Sequence, residues 1–129
     1  MNWVALIILI ALFEYFVFGG LVGRARGKYA IAAPAVTGHP VFERYFRVHQ
    51  NSLEQLIAFI PAVWLFGLYT SARWAAIVGA VFLVARILYA AGYVAAPERR
   101  EVGAWLSGVT EIVLVVGALI GVIRSIVVA

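Results

Sequence analysis

The stretch RVHQNSLEQ, residues 47–55, decides how this chain is read. Arg47, His49, Gln50, Asn51, Glu54 and Gln55 crowd into it, and LIAFIPAVWLFGLY follows at once over 56–69. A soluble helix would set such groups on a wet face, but the continuation is apolar on every side. A helix that carries an arginine, an asparagine and a glutamate into lipid must give them partners or a task.

The remaining sequence supports a lipid setting. The 129 residues are 65% hydrophobic and 12% charged, with a mean hydropathy of +1.02. Soluble domains run near half apolar and a quarter charged, so too little polar surface exists here to cover a soluble core. Cysteine is absent, which excludes disulfides, thiolate metal sites and a cysteine nucleophile. His39 and His49 are too few for a histidine-rich metal site, and no metal is expected. Aspartate is also absent, so all six acids are glutamates. The net charge of +4 resides mainly at predicted span ends, as membrane topology requires, and gives no nucleic-acid signature.

Four apolar helices are predicted, over 3–23, 42–69, 74–95 and 102–128, forming a single transmembrane domain across 1–129. The first has no basic residue before it and no small-residue cleavage pattern, which argues against a removed signal peptide. GRARGKYAIAAPAVTGHP (23–40) reads as a Gly- and Pro-punctuated loop, TSAR (70–73) as a tight turn, and APERRE (96–101) as a polar turn. Short connections make neighbouring helices antiparallel, so the expected fold is all-α: an integral membrane four-helix bundle, up-down-up-down. Arg24, Arg26, Lys28, Arg44, Arg47, Arg99 and Arg100 lie at one end, against Arg73 and Arg124 at the other. The positive-inside rule then places both termini outside and the first and third connections in the cytoplasm.

At 100° per residue, Arg47, Asn51 and Glu54 share one stripe of the second helix, and Arg86, Tyr89 and Tyr93 one stripe of the third. His49 and Gln50 point elsewhere, toward a neighbouring subunit. Counted at about 1.5 Å per residue, Glu14, Glu54, Arg86 and Glu111 fall in one layer roughly 13–17 Å from the cytoplasmic end. Each facing lipid alone would cost about 2.5–3.5 kcal/mol on insertion scales, so all four are expected to turn inward. Glu14 and Glu111 suit helix-bridging roles. Lys28, Arg44 and Arg99 suit interfacial anchoring. Trp3, Trp64, Trp74 and Trp105 suit the aromatic belts, and Pro61 a bend in the second helix. Gly19, Gly20, Gly23, Gly117 and Gly121 suit close helix contacts. The two polar stripes ask for a ligand with carboxylates for arginine, an ammonium for glutamate and amides for asparagine and tyrosine. A small zwitterionic peptide has all three, and glutathione is one that also brings the missing thiol.

FERYFRVHQNSLEQ at 42–55, ARILYAAGY at 85–93 and ERR at 98–100 resemble the MAPEG family, the membrane-associated proteins of eicosanoid and glutathione metabolism. The likeness covers nearly the whole chain in motif order, and VGRARGKYAIAAPAVTGHPVFER looks most like the short bacterial members. The resemblance implies a homotrimer in the bacterial inner membrane, with glutathione as co-substrate bound between subunits near the cytosolic side. Matched by position, Arg47, Asn51 and Glu54 become second-helix glutathione contacts, with Glu54 holding the γ-glutamyl ammonium. Arg86, Tyr89 and Tyr93 become third-helix contacts, Arg26 a loop contact, and His49 replaces a commoner glutamine. Gly27 stands where some relatives have a second loop arginine, with Arg24 as the nearest substitute, and Gln55 stands where some have tyrosine.

The implied activity is a glutathione transferase or peroxidase. Arg100 would favour the thiolate by Coulomb attraction, and Tyr93 or Arg26 would stabilise charge on the leaving group. The other substrate would be a hydrophobic electrophile or a lipid hydroperoxide drawn from membrane lipid. Two other classes compete. A non-catalytic lipid- or glutathione-binding protein on the same fold would bind without turnover. A small multidrug transporter would use Glu14, and Glu14→Gln would then abolish drug-driven proton uptake.

Overall fold

The computed structural model describes residues 1–129 and contains four long helices and no strand: α1 (Asn2–Tyr29), α2 (Pro40–Tyr69), α3 (Ala72–Ala95) and α4 (Glu101–Val128). A single 3-10 turn, Pro97–Arg100, leads into α4. All four helices are long and apolar enough to cross a membrane, and the chain is an integral membrane protein of the up-down-up-down class.

Local chemistry moves the helix ends beyond the expected spans. Helix α1 runs six residues past position 23, because GRARGKY continues the helix and places Arg26 and Lys28 in its last turn. Cations there complement the negative end of the helix dipole. Ala30 ends the helix in the left-handed conformation (φ 55°), its N–H donating to the Arg26 carbonyl. Helix α2 starts at Pro40, where a missing N–H does no harm. His39 caps it, Nδ1 accepting from the Val41 N–H at 3.1 Å. Ser71 caps α3 in the same manner, Oγ accepting from the Trp74 N–H at 3.2 Å. Helix α2 continues unbroken through Pro61, whose side chain is exposed.

Helices α2 and α3 touch each other and both outer helices, while α1 and α4 lie on opposite sides of that pair. Phe59 of α2 and Phe82 of α3 stack at 3.9 Å near the centre of the main apolar cluster. Lipid is as apolar as these rings, so close packing rather than water exclusion holds them. The outer faces carry exposed Trp3, Trp64, Trp74 and Trp105, as expected for lipid-facing aromatics.

Glycines set the close crossings, though not all those expected. A Cβ on Gly117 would strike the Phe66 ring, one on Gly121 the Tyr69 backbone, and one on Gly19 the His49 ring. At Gly20 or Gly23 a Cβ would meet nothing within 4 Å, so these two make no close contact within the protomer. The closest approaches to a neighbouring backbone are ones the small-residue pattern did not single out. A Cβ on Gly103 would run into the Tyr89 backbone, and one on Gly92 into the Arg99 carbonyl. Helices α3 and α4 thus meet backbone to backbone at the end where Arg100 emerges.

Candidate functional site

Arg86 is only 4% exposed and sits where α2, α3 and α4 converge. Its Nη2 donates to the Asn51 amide oxygen at 2.7 Å and to the Ser52 hydroxyl at 3.3 Å, and its Nη1 to the Ser107 hydroxyl at 3.5 Å. Both serines give their own protons to carbonyls one turn back, Ser52 to Val48 at 2.9 Å and Ser107 to Gly103 at 2.6 Å. Each hydroxyl therefore presents lone pairs to the guanidinium. Ser52 and Ser107 escaped the sequence reading, which looked for charges and amides. Their signal was present only as small hydroxyls on the buried faces of α2 and α4.

An unbroken file of groups leads from this centre to the basic end of the bundle. The Arg86 guanidinium carbon lies 4.4 Å from the Tyr89 ring centre. Tyr89 and Tyr93 stack with centroids 5.7 Å apart. The Arg100 guanidinium carbon stands 5.8 Å over the Tyr93 ring. Arg100 is exposed, and its Nη1 donates to the Pro97 carbonyl at 2.9 Å, which holds the side chain against the turn. Asn51, Arg86, Tyr89, Tyr93 and Arg100 are thus brought together by α2, α3 and the 3-10 turn that leads into α4.

Other expected site residues make no hydrogen bond or ring contact with this file. Arg47 and Glu54 are exposed, because the α2 stripe runs along the edge of its buried face. Relative to Asn51, Gln55 stands about 40° round toward the interior and Glu54 about 60° the other way. Glu54 is therefore outside the buried ionisable layer expected for it. Arg26 serves the 30–38 loop: its Nη1 donates to the Ala35 carbonyl at 2.7 Å, and its guanidinium carbon lies 5.0 Å from the Phe42 ring centre. His49 does not turn outward. It stacks on Tyr15 of α1 at 4.5 Å, in the space left by Gly19. Arg44, read as an anchor, donates to the Val94 and Ala95 carbonyls at 3.2 and 3.4 Å and so closes the end of α3.

The two remaining membrane acids differ. With its amide nitrogen toward α4, Gln55 donates to both Glu111 carboxylate oxygens, at 3.1 and 2.6 Å. Glu111 thus bridges helices as expected. The Glu14 oxygens are buried and make no hydrogen bond, and neither does Arg86 Nε. Both residues border a cavity of about 10 Å³ that also touches Ser52. That is the volume of about one water probe.

An all-helical membrane bundle whose polar interior is organised by one arginine, with a second arginine at the end of a tyrosine pair, defines the class. The profile of the MAPEG family matches residues 4–120. An uncharacterized protein of Synechocystis is 50% identical over 121 residues, covering 94% of this chain and 88% of that protein. Microsomal glutathione S-transferase 2 of Mus musculus is 46% identical over 105 residues, covering 81% of this chain and 71% of the relative. Leukotriene C4 synthase of Bos taurus is 31% identical over 99 residues, with 77% and 66% covered. The chain belongs to the MAPEG family.

Proposed function

We propose that this protein is a glutathione-dependent transferase acting on hydrophobic electrophiles and, as a peroxidase, on lipid hydroperoxides. The observation that carries the reading is the file from Asn51 through Arg86, Tyr89 and Tyr93 to Arg100. The names of the relatives support glutathione as co-substrate.

The donor set suits such a ligand. Arg86 occupies the Asn51 oxygen, so the Asn51 NH2 is left as a donor for a carboxylate or peptide carbonyl. Arg47 and Glu54 supply a cation and an anion for the zwitterion's ends. They stand on the outer face of the protomer, Arg47 toward the basic end and Glu54 at a depth where charge facing lipid costs about 2.5–3.5 kcal/mol. A second copy packed there would cover both and complete the site, which supports a homotrimer with glutathione between subunits. His49 and Arg26, held by Tyr15 and the loop carbonyls, act at one remove by fixing α1 and the loop.

Bound glutathione supplies the thiol, whose thiolate attacks the electrophile. Arg100 stabilises that thiolate; a free thiol has a pKa of about 8.5 and is mostly protonated at neutral pH. The Tyr93 hydroxyl can donate to charge on the departing group. The basic residues at the α1–α2 and α3–α4 connections support a cytoplasmic placement in the bacterial inner membrane, with both termini outside.

Isothermal titration of the detergent-solubilised protein with glutathione is the first test, followed by turnover of a haloaromatic and of a lipid hydroperoxide. Saturable binding with turnover of either is expected. Absence of binding would end the glutathione reading, and binding without turnover of either substrate would leave a carrier rather than an enzyme.

A further inference from the structure

The geometry points to a second site on this protein: a slot for one acyl chain of an anionic phospholipid, with the phosphate held by Arg24 and Lys28. The slot is an apolar groove of about 420 Å³ between α1, α2 and α3, walled by Phe18, Leu21, Tyr45, Val48, Ile87 and Val94. Its size falls within the range of ligand-binding clefts. Ile87 is exposed on the outer side, so the groove opens toward lipid. Arg100 does not line it, although Phe18 and Val48 of its wall pack in one apolar cluster with Tyr89 of the proposed glutathione site.

At its basic end the groove runs into a smaller polar cup of about 160 Å³ containing Arg24, Lys28 and Tyr29. Leu21 and Tyr45 line both spaces, so the two are continuous. The periodicity of α1 makes the combination. Phe18, Leu21 and Lys28 follow at i, i+3 and i+10, and Arg24 precedes Lys28 by one turn, so one face passes from apolar to cationic along its length. Phe18 to Lys28 covers about 15 Å of helix, from within the acyl region to headgroup depth.

The occupant follows from charge complementarity. Arg24 and Lys28 are exposed, and no carboxylate lines the cup. Every other basic residue at the first connection and the start of α2, except Arg47, is engaged by protein: Arg26 by the loop carbonyls and Arg44 by the end of α3. Tyr29 is fixed by stacking on His39 at 3.8 Å, which gives the cup a rigid wall. Two cations one helical turn apart, neither facing a carboxylate in the cup and Lys28 resting 5.5 Å from the Tyr29 ring centre, sit above an apolar slot and match a phosphodiester with its chain below. Basic pockets on the cytoplasmic side of membrane helices are suited to anionic headgroups. A zwitterionic lipid, with its own ammonium beside the phosphate, would gain less.

The test is native mass spectrometry of the full-length protein released from nanodiscs of phosphatidylglycerol or of phosphatidylcholine. Wild type should retain phosphatidylglycerol at least 5-fold more than phosphatidylcholine. Arg24→Gln/Lys28→Gln should lose that preference. Ala91→Trp, an exposed alanine on the groove wall, fills the slot without changing charge and should lose retention too. Millimolar inorganic phosphate should not displace the lipid. Equal retention by wild type and the double glutamine variant overturns the site. So does retention by Ala91→Trp, which would mean diffuse surface attraction only, and so does displacement by free phosphate. Loss of haloaromatic turnover in Ala91→Trp with lipid retention unchanged would assign the groove to the electrophile and overturn the proposal as well.

Discussion

The Arg86 guanidinium donates to the Asn51 amide oxygen at 2.7 Å and thereby fixes which way that amide faces. Asn51→Leu removes the strongest acceptor of a buried cation, and a hydrogen bond to a charged group is worth about 1.5–3 kcal/mol. Thermal unfolding in detergent should register a loss of that order. Asn51→Asp offers a better acceptor and should keep stability, yet it replaces the outward NH2 with a carboxylate oxygen. Glutathione affinity measured by titration should then fall about 10-fold or more. Undiminished affinity in Asn51→Asp would show that the amide does not touch the ligand.

Arg100 supplies a second prediction. Arg100→Ala should lower the thiolate absorbance seen on mixing with glutathione about 10-fold near neutral pH, equivalent to about one pKa unit. A cation favours the deprotonated form, so removing it raises the thiol pKa, and the pH–rate midpoint should move to the alkaline side. Arg100→Lys should fall between the two. An unchanged thiolate signal in Arg100→Ala would take Arg100 out of the mechanism.

Gly103 sets the approach of α3 to α4. Gly103→Ala places a methyl against the Tyr89 backbone, where no rotamer change can relieve it. Overpacking of this kind costs about 1–3 kcal/mol. The displaced α4 start would carry Arg100 away from Tyr93, so kcat should fall more than binding. A melting temperature equal to wild type would contradict the close crossing.

Glu111 gives a fourth. Glu111→Gln keeps an acceptor for the Gln55 NH2 and should be nearly neutral in thermal unfolding. Glu111→Leu leaves that amide nitrogen unpaired in the bundle and should cost about 1–3 kcal/mol. Equal melting of the two variants would mean the Gln55 bridge contributes nothing.

The outward charges of α2 give a fifth. If a second copy covers Arg47 and Glu54, charge reversal at Glu54 should weaken the assembly, and Glu54→Arg should shift the detergent-solubilised protein toward monomer in analytical ultracentrifugation. A trimer unaffected by Glu54→Arg would place the subunit contact elsewhere.

Apolar length, the scarcity of charge and the Pro and Gly punctuation were enough to count the helices and set their antiparallel order, because spanning lipid forces the backbone into helices. The stripes also placed Arg86, Tyr89 and Tyr93 on one face of α3, since helical spacing alone requires it. Which way each stripe turns depends on the neighbours. Ser52 and Ser107 draw Arg86 fully inside, Gly19 leaves room that draws His49 onto Tyr15, and Arg26 is captured by carbonyls of its own loop. Periodicity gives a residue's angle around its own helix but not what stands opposite. Partners for a buried charge are chosen across helices, so only the packed bundle could divide these polar side chains into an interior file and an outward-facing pair.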